Sequence, residues 1–178
     1  MPGSLDLPEK LKETSAAGYD YLELSIDETD EKLSRLDWSP AYIIALRHAM
    51  ETPFINTVTK AAAWVRKCRS QFLQIYPDSG NITNAALENG GEIKEDIKKG
   101  AGNLVAFHLK ESKPDIYREV PYGQGHVNFS EVIQTVWRLG VRLFVAEFWH
   151  SDTVDSWRDT LRENNRFLRK FLDEADCS

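Results

Sequence analysis

Three short apolar runs, each ending in polar residues, constrain the fold of this chain more than any other feature. They span residues 72–76, 104–109 and 143–149, and turn signals flank them. Runs this short read as buried strands rather than helices. The polar stretch 92–99 between the first two has helical character. Between the second and third, Asn128 followed three residues later by Glu131 is a capping box, opening a helix that Gly140 closes. Strands that alternate with helices predict a parallel α/β sheet.

The flanking sequence extends this pattern. Residues 7–17 predict a helix ended by Gly18, since glycine adopts the left-handed conformation without a Cβ clash. Residues 21–26 predict a strand, with Leu22, Leu24 and Ile26 on one face and Glu23 and Ser25 on the other. Ser39 and Pro40 make a helix entry that runs to about Met50, and residues 42–46 are a weaker strand candidate in the same stretch. Val154, Trp157, Leu161, Leu168 and Leu172 recur at helical spacing, so 152–175 reads as a long amphipathic helix. No repeat or linker divides the chain, and Asn89-Gly90-Gly91 is its most flexible-looking stretch. A single domain over 1–178 is expected.

Composition excludes several classes of function. Twenty-eight acidic against 22 basic residues give a net charge of −6, which argues against a nucleic-acid footprint. No apolar run approaches the roughly 20 residues that cross a bilayer, and the first residues lack a basic and apolar leader. A cytoplasmic chain without membrane contact is expected. Cys68 and Cys177 are far apart and show no metal-binding spacing, so they are read as reduced thiols.

In a parallel sheet, functional groups gather where strands end. Asp78, His108 and Glu147 lie at three such ends. One imidazole and two carboxylates form a mixed donor set that suits Mn²⁺, Mg²⁺ or Zn²⁺. Each also has a plainer reading. Asp78 before Ser79 and Gly80 makes an Asx-turn. His108 on an apolar strand is a hydrogen-bonded core histidine. Glu147, flanked by Ala146 and Phe148, needs a partner, a proton or a metal to offset its burial. Three such residues at equivalent strand ends favour function. Trp64, Trp137 and Trp157 are read as packing residues, and His126 and His150 as surface histidines.

Longer motifs carry a resemblance. Glu23-Leu24-Ser25-Ile26-Asp27-Glu28, Leu33 to Ser39, Tyr76-Pro77-Asp78-Ser79-Gly80-Asn81, His108-Leu109-Lys110 and Val120-Pro121-Tyr122-Gly123-Gln124-Gly125 resemble the L-ribulose-5-phosphate 3-epimerases, formerly called hexulose-6-phosphate isomerases. The resemblance implies a (β/α)8 barrel that moves the C3 proton between L-xylulose 5-phosphate and L-ribulose 5-phosphate. It implies two glutamates, both metal ligands, that serve as acid and base, with Glu147 standing for one. Asp78 and His108 are then the remaining metal ligands. Apart from the resemblance, Lys110, Arg118 and the loop of Gly123 and Gly125 are candidates to position a substrate phosphate, because glycines let backbone N–H groups approach an anion and the cations add charge. A solvated basic loop is the plainer reading. Glu23 and Ser25, on the polar side of their strand, are candidates for sugar hydroxyls, with packing or turn roles as the alternative.

The chain departs from the pattern near Met50-Glu51-Thr52, where several strands and the other glutamate are missing. His48 stands by count in that glutamate's place, on a helix. A full barrel needs about 250 residues, so an incomplete, unclosed (β/α)8-like sheet of four or five strands is expected. Its open edges invite pairing with another copy. Two functions follow: a metal-dependent sugar-phosphate epimerase, or a shortened, catalytically inactive member that binds a partner.

Overall fold

The structure, a computed structural model, describes residues 1, 5–23, 55–69, 71–149 and 157–177. The expected helix 39–50, the strand candidate at 42–46, His48, His150, Ser25 and the junction at 50–52 lie outside them.

Helix α1 (Leu7–Ala16) starts from a closed capping box. Asp6 Oδ1 accepts from the Glu9 N–H at 2.8 Å, and the Glu9 carboxylate accepts from the Asp6 N–H at 2.9 Å. It stops one residue short of the predicted end, and Gly18 follows at φ +84°. Helix α2 (Val58–Cys68) is capped twice. Thr57 accepts from the Lys60 N–H, while the Asp96 carboxylate reaches across to accept from the Val58 and Thr59 N–H groups at 2.7 and 2.9 Å. A carboxylate there also suits the positive end of the helix dipole.

Helix α3 (Ser79–Asn89) was not expected from sequence, which reads Asp78 as a turn former. Asp78 is its N-cap, and Gly90 its left-handed C-cap at φ +64°. The short helix α4 (Ile93–Lys98) matches the polar stretch 92–99. Helix α5 (Phe129–Arg138) is capped by Asn128, which accepts from the Glu131 N–H. It buries Phe129, Val132, Ile133 and Val136, a stripe one helical face wide. Helix α6 (Trp157–Asp176) buries Trp157, Leu161, Asn165, Leu168 and Ala175 against α5 and the sheet.

Among the described residues the sheet has two strands. Strands β1 (Phe107–Leu109) and β2 (Phe144–Ala146) pair in parallel, with His108 opposite Val145. Along the other side of β1 runs the segment 75–78, joined by isolated parallel bridges from Ile75 to Leu104 and from Asp78 to His108. Among the described residues these two strands and one bridged segment form a sheet that does not close, while residues 24–26 of the expected first strand and the candidate at 42–46 lie outside the described residues. The run 72–76 fails as a strand at its start, because Phe72 sits in a turn and is 89% exposed. Tyr21, Leu22 and Glu23 carry no strand pairing, although the Tyr21 hydroxyl donates to the Phe144 carbonyl.

One face of the sheet holds the core. Phe107 and Leu109 are fully buried with Ile97, Val132, Ile133 and Val136, each worth about 1.5–3 kcal/mol of transfer free energy. Tyr122, Phe129, Phe167 and Phe171 extend this core through ring contacts of 5.2–6.2 Å. The Tyr122 hydroxyl donates to the Leu109 carbonyl at 2.5 Å and lies 3.3 Å from that of Glu147, which ties the ends of β1 and β2 together. Helix α1 is fastened to α6 by Asn165, which donates to the Ala17 carbonyl at 2.9 Å, and by a two-pronged Arg158–Glu13 pair.

Candidate functional site

Strand alternation decides what faces away from the core. Because Phe107 and Leu109 point into it, His108 between them points to the opposite, polar face of the sheet. There its ring lies between two carboxylates. Nδ1 is 2.8 Å from Glu147 Oε2, and Nε2 is 3.0 Å from Glu23 Oε1. Glu147 directly follows β2, and its N–H donates to the Leu109 carbonyl at 2.9 Å. Asp78 arrives from the bridged segment beside His108. One ligand atom each from Asp78, His108 and Glu147 lies within 4.8 Å of the others. The structure thus brings together the three residues that the strand-end argument singled out.

Asp78 divides its two oxygens between two tasks. Oδ1 accepts from the Asn81 N–H at 2.7 Å and caps α3. Oδ2 is buried and receives no directed hydrogen bond. Lys110 Nζ approaches it to 3.2 Å as an ion pair. A buried carboxylate oxygen without a donor costs free energy unless something completes its shell. Asp78 Oδ2, a His108 ring nitrogen and a Glu147 oxygen are an N/O set of the type that holds a divalent cation with positions left open for substrate. The residues present fit such an ion.

Local fields act differently on the three groups. Burial pushes the Asp78 carboxyl up to about 6, against the pull of the Lys110 charge and the Asn81 N–H. Burial also raises Glu147, but the hydrogen bond to His108 and the charge of Lys110 outweigh it and leave this carboxyl below its usual range. For His108 burial favours the neutral ring, yet the bond to Glu147 and the charge of Glu23 prevail, and its pKa is raised. Without a metal the two flanking carboxylates favour the protonated ring. A cation binding there must displace a proton.

The residues that sequence offers for a phosphate make internal contacts. Lys110 is 5% exposed, not part of a solvated basic loop. Its ammonium donates to Asn81 Oδ1 at 3.0 Å and lies 3.8 Å from Glu147 Oε1. Gly123 donates its N–H to Glu111 Oε2 at 3.0 Å. Glu111 Oε1 accepts from the Ser112 and Val127 N–H groups, both at 3.0 Å. Gly125 packs so closely here that a Cβ would fall 2.1 Å from the Ser112 carbonyl oxygen. Arg118 is exposed and lies 5.9 Å from the Trp149 ring.

The remaining candidates are placed as follows. Glu23 joins the cluster through His108, and the Tyr76 hydroxyl donates to its Oε2 at 2.5 Å. His126 is half-buried, with Nε2 3.1 Å from Ser112 Oγ, and is not a free surface histidine. Trp157 is buried and Trp137 stacks on Phe144, whereas Trp64 is 38% exposed. Sequence reasoning missed Asn81, Tyr76 and the buried Glu111. A carboxylate three residues after His108, followed by Gly-Gln-Gly, was the available signal for the last.

Comparison with known proteins agrees with this architecture. The sequence pattern of the xylose isomerase-like TIM barrel family matches residues 48–171. The L-ribulose-5-phosphate 3-epimerase UlaE of Salmonella paratyphi A is 30% identical over 148 residues, covering 79% of this chain and 50% of that protein. The chain therefore spans about half the length of the curated relatives it matches. An L-ribulose 3-epimerase structure superposes with a TM-score of 0.53 at 16% identity, covering 70% of this chain and 44% of that one. The D-psicose 3-epimerase of Clostridium cellulolyticum H10 gives 0.50 at 18% identity, over 68% and 46%. These relatives are sugar epimerases. This chain belongs to the xylose isomerase-like TIM barrel family.

Proposed function

We propose that Asp78, His108 and Glu147 hold a divalent cation, and that Glu147 moves the C3 proton of a ketopentose 5-phosphate between L-xylulose 5-phosphate and L-ribulose 5-phosphate. The observation that carries this reading is the convergence of three ligand atoms within 4.8 Å, one of them beside a buried oxygen with no directed donor. The similarity to L-ribulose-5-phosphate 3-epimerases supports the substrate.

Glu147, whose carboxyl is held below its usual range, is ionised and ready to accept a proton. When C3–H breaks, the proton passes to Glu147 and the electron pair delocalises onto the C2 carbonyl oxygen, giving an enediolate. A bound divalent cation supplies the positive charge that stabilises the developing negative oxygen. Lys110, fixed by Asn81 and Asp78, adds a second positive charge to the same face. Return of the proton by Glu147 restores the starting sugar, and delivery from the opposite face inverts C3.

The half-length match favours a second reading, in which the chain lacks a partner acid for Glu147 and is catalytically inactive. One experiment separates them: incubate the chain with L-ribulose 5-phosphate and Mn²⁺ in D₂O. Deuterium at C3 together with L-xylulose 5-phosphate supports epimerisation. Deuterium without the epimer supports Glu147 acting alone. Neither signal supports the inactive reading and defeats the proposal.

A further inference from the structure

A histidine that binds a metal through one ring nitrogen is usually fixed by a hydrogen bond from the other, which sets both ring orientation and tautomer. His108 carries such a partner on its far side. Nε2 is 3.0 Å from Glu23 Oε1, while Nδ1 faces Glu147 Oε2 at 2.8 Å. Glu23 stands outside the trio of converging ligand atoms. Its second oxygen accepts from the Tyr76 hydroxyl at 2.5 Å, and the Tyr76 ring meets the imidazole edge-on with centroids 4.4 Å apart. The histidine is therefore gripped by a carboxylate at one nitrogen and by an aromatic ring at its side, and the aromatic residue's hydroxyl holds the carboxylate.

We infer that Glu23 is a positioning residue. It keeps the proton on His108 Nε2, so that Nδ1 is the nitrogen presented to a cation shared with Glu147 and Asp78. Glu23 then acts through His108 and does not itself bind the cation. Nδ1 is the only ring nitrogen with a neighbouring carboxylate from the converging trio. A cation at Nε2 would have to enter between the ring and Glu23, away from Glu147. Tyr76 supports the arrangement by satisfying the oxygen of Glu23 that His108 does not use.

This inference rests on the metal reading above, and the test keeps the two apart. Calorimetric titration with Mn²⁺ should show Glu23→Ala binding about 10–100-fold more weakly than the wild type. Glu23→Gln should bind nearly as well, because its amide oxygen still accepts from Nε2–H. Tyr76→Phe, which keeps the ring and loses the hydroxyl, should show a smaller loss than Glu23→Ala. The glutamine variant guards against a mere folding defect.

Nitrogen NMR on Zn²⁺-loaded protein supplies a readout independent of activity. The metal-induced shift should fall on Nδ1, with a ring Nε2–H resonance retained. A shift on Nε2, or Mn²⁺ affinity unchanged in Glu23→Ala, overturns the inference. If the wild type binds neither ion, the functional reading fails and the metal-free spectrum decides the Glu23 contact. A slowly exchanging Nε2–H present in wild type and lost in Glu23→Ala supports the grip, and its persistence in that variant overturns it.

Discussion

Two buried carboxylates lie at the ends of neighbouring segments of the sheet, and they are treated in opposite ways. Glu111 is 2% exposed and accepts three backbone N–H bonds, from Ser112, Gly123 and Val127. Asp78 is 9% exposed, caps a helix with one oxygen and leaves the other without a directed donor, beside His108 and Glu147. Burial alone does not mark a functional acid. Fully satisfied, a buried carboxylate is a structural staple; half satisfied and next to other ligand atoms, it is a candidate for binding.

The largest effect on stability is expected at Glu111. Glu111→Ala leaves three N–H groups of the loop without their acceptor, each worth roughly 1–3 kcal/mol if it stays buried. Chemical denaturation should show a loss of about 3 kcal/mol or more. A loss under about 1 kcal/mol would mean that the carboxylate is not a staple and would break the comparison. Gly125→Ala probes the same cage from outside, because the new Cβ would sit 2.1 Å from the Ser112 carbonyl oxygen and 2.3 Å from Glu111 Oε1. Overpacking of this kind costs about 1–3 kcal/mol, read as a lowered denaturation midpoint.

Asp78→Asn should behave in the contrary manner. Asparagine caps helices about as well as aspartate. The substitution loses the ion pair with Lys110 at 3.2 Å but also relieves the burial of a carboxylate charge, with Lys110 still held by Asn81 and Glu147. Stability of the metal-free chain should change by less than about 1 kcal/mol, while Mn²⁺ binding falls sharply. A large stability loss would place Asp78 among the staples. The smallest effect is expected at Tyr117→Phe. Its hydroxyl donates to Glu88 at 2.7 Å on the exposed surface, and denaturation should register no more than about 0.5 kcal/mol.

The sequence made one of these carboxylates legible and hid the other. Asp78, His108 and Glu147 stood out because each ends an apolar run, and parallel strands bring their ends together without further information. Glu111 was hidden because its donors at 112, 123 and 127 meet only after the loop folds back. Gly123 and Gly125 are legible as places of close backbone approach, and in the folded chain both lie against the Glu111 carboxylate. Helix α3 was missed for a local reason: an Asx-turn and a helix N-cap begin with the same aspartate accepting from nearby N–H groups, and only the residues beyond tell them apart. Strand lengths were overestimated because apolar character was equated with pairing, which Phe72 contradicts by lying almost fully exposed in a turn.

The account depends most directly on the trio binding a divalent cation, and calorimetry with Mn²⁺ on the purified chain tests that without requiring turnover. The account predicts one saturable site per chain that is retained in Tyr117→Phe and lost in His108→Ala and Asp78→Asn, with the folded state of each variant verified by its denaturation curve. No saturable binding in the wild type, or binding that survives both substitutions, would contradict it.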